Sequence, residues 1–251
     1  MWAKHWRIFD GRRKQTGLRR TLQFTLLKGL RRLLVPGVQF HFGMTAEDIV
    51  IAFLVDKYIG KRDITYVDIG CHEARRISNS YFLYLNGAHG IAIDLSPDYA
   101  NEFQRERPRD LFVCAALSDR AATTVVHEFT ASEVSTIDAA QAEQWQGRFQ
   151  AKGSRTVETT TLDDVLARHM PGANPDVLLL DVEGHELPVL RGANLAALRP
   201  ALIVCELHQL DLPAASDHPV VAFLATSGYR LVSYATVNGY FVRNDLAERE
   251  R

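Results

Sequence analysis

Two short segments carry residue types that could do chemistry. The first is Tyr66-Val67-Asp68-Ile69-Gly70-Cys71-His72, an apolar run that ends in an acid and a glycine. The second is Asp181-Val182-Glu183-Gly184-His185-Glu186, where two acids and a histidine surround another glycine. A glycine after a buried strand lets a ligand approach the backbone closely. A third acid, Asp94, ends another apolar run 26 positions after Asp68, a placement suited to binding both hydroxyls of an adenosine ribose. Asp181, Glu183 and His185, with Glu206 and His208 after a later run, are the types that could take a proton from an acceptor. A blander reading is that Asp181 only orients a bound group and Glu183 caps the next helix. Asp181, Glu183 and Glu206 could also hold a hard divalent cation, although their spacing does not compel one.

The residues after Gly70 narrow the choice of ligand. A dinucleotide needs GxGxxG to seat its pyrophosphate on a helix N-terminus. Here the next residues are Cys71, His72, Glu73, Ala74, Arg75 and Arg76, with no further glycine. A nicotinamide dinucleotide is therefore disfavoured.

These segments need a scaffold. Near-continuous apolar runs at 64–69, 90–94, 111–117, 177–182, 202–207, 229–234 and 240–243 read as strands. Helical patterns at 78–86, 98–106, 162–169, 186–198 and 218–226 lie between most of them. That alternation predicts an α/β fold, a largely parallel sheet buried on both faces by helices. Thr45 with Asp48 resembles a capping box that opens an earlier helix running to about residue 59. Residues 122–160 break the rhythm with a hairpin-like TTVVHEF, a polar stretch and RTVETTT, so they read as an insertion over the sheet. Trp145 and Phe149 within it, like Tyr81 and Phe82, read as packing residues.

Composition bounds the rest. The chain has 251 residues, 47% of them hydrophobic and 24% charged, enough to bury one sizeable α/β core. Cys71, Cys114 and Cys205 form no CxxC or Cys/His pair, which argues against a zinc knuckle and a disulfide framework. Each lies in or beside an apolar run, as a reduced core cysteine of a cytoplasmic protein would. No apolar run approaches the roughly 18 residues of a membrane span.

The net charge of −1 hides an asymmetry: residues 1–32 hold ten Lys/Arg against Asp10 alone. Residues 17–34 read as an amphipathic helix, with Leu18, Leu22, Leu26, Leu30 and Leu33 opposite Arg20, Lys28, Arg31 and Arg32. Residues 1–37 thus form a basic extension, ended by Pro36-Gly37, that precedes a domain at 38–251. Such an arm suits an anionic membrane surface and a membrane-peripheral protein. Its leucines docking on the domain is the competing reading, and co-sedimentation with anionic vesicles at low salt separates the two. No RNP-like or helix-turn-helix pattern accompanies the arm, so nucleic acid is not the expected partner.

The run YVDIGCHEARRISNSYFLYLNGAHGIAID, then ALSD, LLLDVEGHELPVLRG and LIVCEL, resembles the FkbM family of S-adenosylmethionine-dependent methyltransferases. The resemblance covers roughly residues 64–207, and DVEGHELPVLRG is its most specific part. It implies a Rossmann-like seven-stranded methyltransferase sheet acting on oxygen, often of sugars or polyketide-type hydroxyls. S-adenosylmethionine is the implied cofactor, and the acceptor would be a small molecule or a glycan. By motif position Asp68, Gly70, Cys71 and His72 would line the methionine end, Asp94 the ribose, and Leu95, Ser118 and Asp119 the adenine. Ser78 and Asn79 would open the first helix, with amides free to meet a carboxylate. Asp181, Glu183, His185 and His208 are the candidates for catalysis. The sequence departs from the family at Ala74, where many members carry glycine, which puts the path of that loop in question. Two other readings stay open at this point: an NAD-dependent enzyme, and a catalytically silent methyltransferase fold serving as a membrane-surface adaptor.

Overall fold

A computed structural model describes residues 40–248, apart from 62 and 173, with 25, 26 and 29 as isolated earlier positions. The amphipathic and membrane readings of 1–34 fall almost wholly outside the described residues. The elements run in chain order as α1 (Glu47–Tyr58), β1 (Thr65–Ile69), α2 (Tyr81–Leu85), β2 (His89–Asp94), α3 (Ala100–Glu106), β3 (Leu111–Cys114) and β4 (Ala116–Leu117). Then come β5 (Ala122–Phe129), α4 (Ala139–Gln146), β6 (Ala151–Thr160), α5 (Leu162–His169), β7 (Val177–Leu180), α6 (Glu186–Arg191) and α7 (Leu195–Leu198). The chain closes with β8 (Leu202–Glu206), α8 (Pro219–Thr226), β9 (Tyr229–Ala235), β10 (Asn238–Arg243) and α9 (Asn244–Ala247).

Seven strands form one sheet in the order β3-β2-β1-β7-β8-β10-β9. The pairs from β3 to β8 are parallel, and β10 runs antiparallel to both its neighbours. The order reverses between β1 and β7, which opens a crevice at their carboxyl ends, where ligands bind in doubly wound sheets.

The apolar runs are continuous because each strand feeds two cores. Val67, Ile69, Leu178, Leu180 and Ile203 point to one face with Ile91 and Ile93. Tyr66, Val177, Leu179, Leu202 and Val204 point to the other. This is the two-residue alternation of a strand buried on both sides. Among the described residues no helix is long and apolar enough to cross a membrane.

Some local expectations need correction. The apolar run 111–117 is two strands: the Ala115 amide donates back to the Asp94 carbonyl (2.9 Å), and the chain then leaves the main sheet. β4 joins β6 and β5 in a separate three-stranded sheet. The hairpin-like segment is real, with β5 and β6 antiparallel, but α4 lies in their connection. Trp145 and Phe149 pack there on a small cluster of Phe129, Val134 and Ala142. No capping box forms at α1, whose N-cap is Ala46 in a left-handed conformation. Glu47 instead reaches back to the Thr45 amide and hydroxyl, while Asp48 accepts from the Phe42 amide at 2.8 Å. Cys114 is exposed on edge strand β3, unlike buried Cys71 and Cys205.

Candidate active site

The crevice lies over the carboxyl ends of β1, β2 and β7, with the 122–160 insertion as its outer wall. Its floor begins at Gly70. There φ is +77°, and a Cβ would sit 1.7 Å from the Asp181 carbonyl oxygen, so only glycine lets β1 and β7 close together here. The amides of Gly70 and Cys71 both donate to the Ile93 carbonyl, at 2.9 and 3.2 Å, which ties the loop to β2.

Asp94 gathers the next turns. Its Oδ2 accepts the His72 amide at 3.0 Å and its Oδ1 the Ser96 amide at 2.8 Å. Burial raises its pKa above the ordinary carboxylate value, and those amide bonds resist the rise. Each carboxylate oxygen keeps a second lone pair. Gly70, His72, Asp94 and Leu95 all line the crevice, and the His72 ring packs 4.7 Å from that of Tyr99.

Other expected contacts are displaced. Asp68 is buried beneath the crevice, where it accepts the Ser80 hydroxyl. Alternation puts it on the face of Tyr66, away from Ile69. Cys71 turns its thiol into a cluster with Ala74, Ala92 and Phe103, so only its backbone borders the loop. Ala74 is fully buried in that cluster, which has room for its methyl. The Ser78 amide is occupied by the Phe42 carbonyl at 3.0 Å, and its hydroxyl accepts the Tyr81 amide at 3.1 Å. Neither Ser78 nor Asn79 lines the crevice. Beyond β3 the lining is Ala115, Ala116 and Leu117; Ser118 bonds His185 instead, and Asp119 is exposed in an ion pair with Arg120.

At the mouth, β7 ends at Leu180 and Asp181 is already outside it. Asp181 and Glu183 reach the crevice through a turn and not through strand alternation. Glu183 has φ +53° and Gly184 φ +95°, and both acids line the crevice. Holding a non-glycine residue there costs of order 1–3 kcal/mol and is common at functional sites. The turn is secured by Glu186, whose Oε1 accepts the amides of Val182 and Gly184, each at 3.1 Å. The only mark of Glu186 in the sequence is an acid in the first helical turn after a glycine. The Thr136 hydroxyl adds a 2.7 Å bond to the Glu183 carbonyl.

Electrostatically this corner is crowded. Burial, with Glu206 and Glu186 nearby, pushes Asp181 well above the usual carboxylate range. Burial and then Asp181 lift Glu183 to about 8, and burial and then Glu183 lift Glu206 to about 9. His208 brings Nε2 within 3.1 Å of Glu206 and 3.7 Å of Glu183. His185 lines the crevice with Nε2 2.9 Å from the Ser118 hydroxyl, and burial lowers its pKa. The insertion adds Glu128, Phe129, Ser135 and Lys152, which no motif in that stretch had marked.

The methyltransferase FkbM domain matches residues 68–231 of this chain. No curated protein matches its sequence. Three solved structures are similar at low identity. The Burkholderia thailandensis 1,6-didemethyltoxoflavin-N1-methyltransferase, with bound S-adenosylhomocysteine, is 13% identical over 90% of this chain and 87% of that one, TM-score 0.42. The Bacillus cereus O-methyltransferase in complex with SAH is 11% identical over 86% and 95%, TM-score 0.42. The Geobacter metallireducens precorrin-6y C5,15-methyltransferase is 16% identical over 82% and 91%, TM-score 0.40.

Proposed function

This chain belongs to the methyltransferase FkbM domain family of S-adenosylmethionine-dependent enzymes, and from that premise we propose that it methylates a hydroxyl oxygen, the acceptor being a sugar of a glycan or glycolipid. One observation carries the reading: Asp181 and Glu183 open onto the same crevice as Gly70, His72 and Asp94. An alcohol must lose its proton as its oxygen accepts a methyl, and an ionised carboxylate here would take that proton. Glu128, Ser135 and Lys152 on the insertion give the outer wall a hydrogen-bonding surface that suits a hydroxyl-rich acceptor. A glycolipid acceptor would also give the basic segment at 1–34 a purpose at an anionic membrane surface.

The crevice fits the cofactor by its donor set and shape. Asp94 would hold the ribose hydroxyls, Leu95, Ala116 and Leu117 the adenine, and the Gly70–His72 backbone the methionine portion. When bound, S-adenosylmethionine supplies an electrophilic methyl on a sulfonium. Asp94→Ala is expected to weaken its binding by about 1.5–3 kcal/mol, the range for hydrogen bonds to a charged group. Calorimetry would read that as a loss of roughly 10- to 150-fold in affinity. Unchanged affinity would remove Asp94 from the site.

The acceptor class is tested with methyl-13C-labelled cofactor and a panel of oligosaccharides and glycolipids. A labelled O-methyl resonance on one of them is the expected product. Label found on nitrogen or carbon would overturn the proposal.

A further inference from the structure

Beside the crevice, three side-chain atoms shielded from solvent have no hydrogen-bond partner among the described residues: Glu183 Oε2, Glu206 Oε2 and His208 Nε2. They arrive from three places, the left-handed turn after β7, the last residue of β8 and the segment after that strand. His208 Nε2 is 3.1 Å from Glu206 Oε2 and 3.7 Å from Glu183 Oε2, and donor atoms of all three residues lie within 4.8 Å of one another. Glu206 is only 8% exposed. The 3.1 Å contact lacks the alignment of a hydrogen bond, so it does not satisfy either atom. Each buried polar atom left unpaired costs roughly 1–3 kcal/mol. One cation placed between these three converging donors would satisfy all of them at once.

We propose that Glu183, Glu206 and His208 bind one divalent transition-metal ion of the Mn2+ or Zn2+ type. Two of the separations suit donors that share an ion with bonds of about 2.0–2.2 Å. Two carboxylates and an imidazole favour such ions over Mg2+ or Ca2+, which take all-oxygen sets. Three protein ligands also leave coordination positions open, as in sites that act on a substrate. Glu183 itself lines the crevice, so the ion borders it. The ligands are set in advance. Glu186 and Thr136 fix the backbone that carries Glu183 from two sides, and the His208 carbonyl accepts His218 Nε2 at 3.2 Å. Trp145 stands edge-on to the His208 ring at 6.0 Å. Partners of this kind orient metal ligands and sharpen affinity. The inference goes beyond methyl transfer and does not rest on the nature of the acceptor.

The test uses the full chain, stripped by chelator and free of cofactor and acceptor. Zn2+ and Ca2+ are titrated calorimetrically, and Mn2+ by loss of its free paramagnetic signal. The expected result is one ion per chain, with Zn2+ bound tighter than Mn2+ and Ca2+ at least about tenfold weaker than Mn2+. Glu206→Gln and His208→Ala should each weaken Mn2+ binding by at least about tenfold. If either variant fails to fold, the wild-type melting temperature decides: at equal ion concentration it should rise more with Mn2+ than with Ca2+. No saturable Mn2+ or Zn2+ binding, or binding undiminished in both folded variants, overturns the site. Saturable S-adenosylmethionine binding by a chain that takes up neither metal would likewise overturn the ion site while leaving the cofactor site standing.

Discussion

Glu183→Gln is expected to lower methyl transfer by roughly 10²–10⁴-fold while S-adenosylmethionine affinity stays nearly intact. The substitution keeps the size of the side chain and removes its ability to ionise, and with it the ability to take a proton. The backbone that positions it, held by Glu186 and Thr136, is untouched. Single-turnover rates with the identified acceptor, alongside calorimetry of the cofactor, separate chemistry from binding. Asp181→Asn should fall further in affinity, because Asp181 lines the crevice together with Gly70 and His72, where the methionine portion of the cofactor would lie. His185→Ala should matter least for the proton, because Nε2 is already engaged by the Ser118 hydroxyl. If Asp181, Glu183, His185 and His208 can each be replaced with near-normal turnover, the chemistry lies elsewhere. The metal titration supplies the remaining distinction, between loss of a proton acceptor and loss of an ion that Glu183 also holds.

Some of this was legible in the sequence, for a definite reason. A strand buried on both faces shows as an unbroken apolar run, and ligands gather where such strands end. Gly70, Asp94, Asp181 and Glu183 follow from those two facts alone, and all four border the crevice. What failed to show were side-chain directions fixed by partners far along the chain. Asp68 looks like a crevice acid until its place beside Tyr66 on the opposite face is noticed, and its neighbour Arg107 is 39 residues away. The run 111–117 gives no sign that it serves two sheets, because apolar residues suit either. Asp181 and Glu183 share the crevice for a reason that their two-residue spacing does not show. Strand alternation would bring them to one side, whereas a left-handed turn held by Glu186 does so. The insertion was visible only as lost rhythm, since polar lining residues follow no period.

Arg107→Met is expected to cost about 3–5 kcal/mol of stability, the penalty for breaking a buried ion pair by removing one partner. Arg107 is fully buried and pairs through Nε with Asp110 Oδ2 at 2.6 Å. Its Nη2 donates to the Tyr66 hydroxyl at 2.7 Å and the Ser80 hydroxyl at 2.8 Å, and Nη1 to Ser78 at 3.3 Å and the Ala74 carbonyl at 3.4 Å. Burial alone would lower its pKa, but Tyr66, Asp110 and Asp68 together carry it above the ordinary value, so the charge is kept. Through Ser80 that charge also reaches Asp68, whose own pKa burial raises and Arg107 holds back. One guanidinium therefore binds β1, the loop after it and the start of α2 to the turn before β3. Methionine fills much of the volume but leaves Asp110 and Asp68 as buried acids without a cation. Arg107→Lys should recover little, because an ammonium cannot span five acceptors arranged for a planar fork. Urea unfolding reads the effect as a lower midpoint at unchanged slope. A loss below about 1 kcal/mol in both variants, the scale of an exposed pair, would mean that the hydrogen bonds among Tyr66, Ser80, Asp68 and Asp110 hold this edge of the sheet without the arginine.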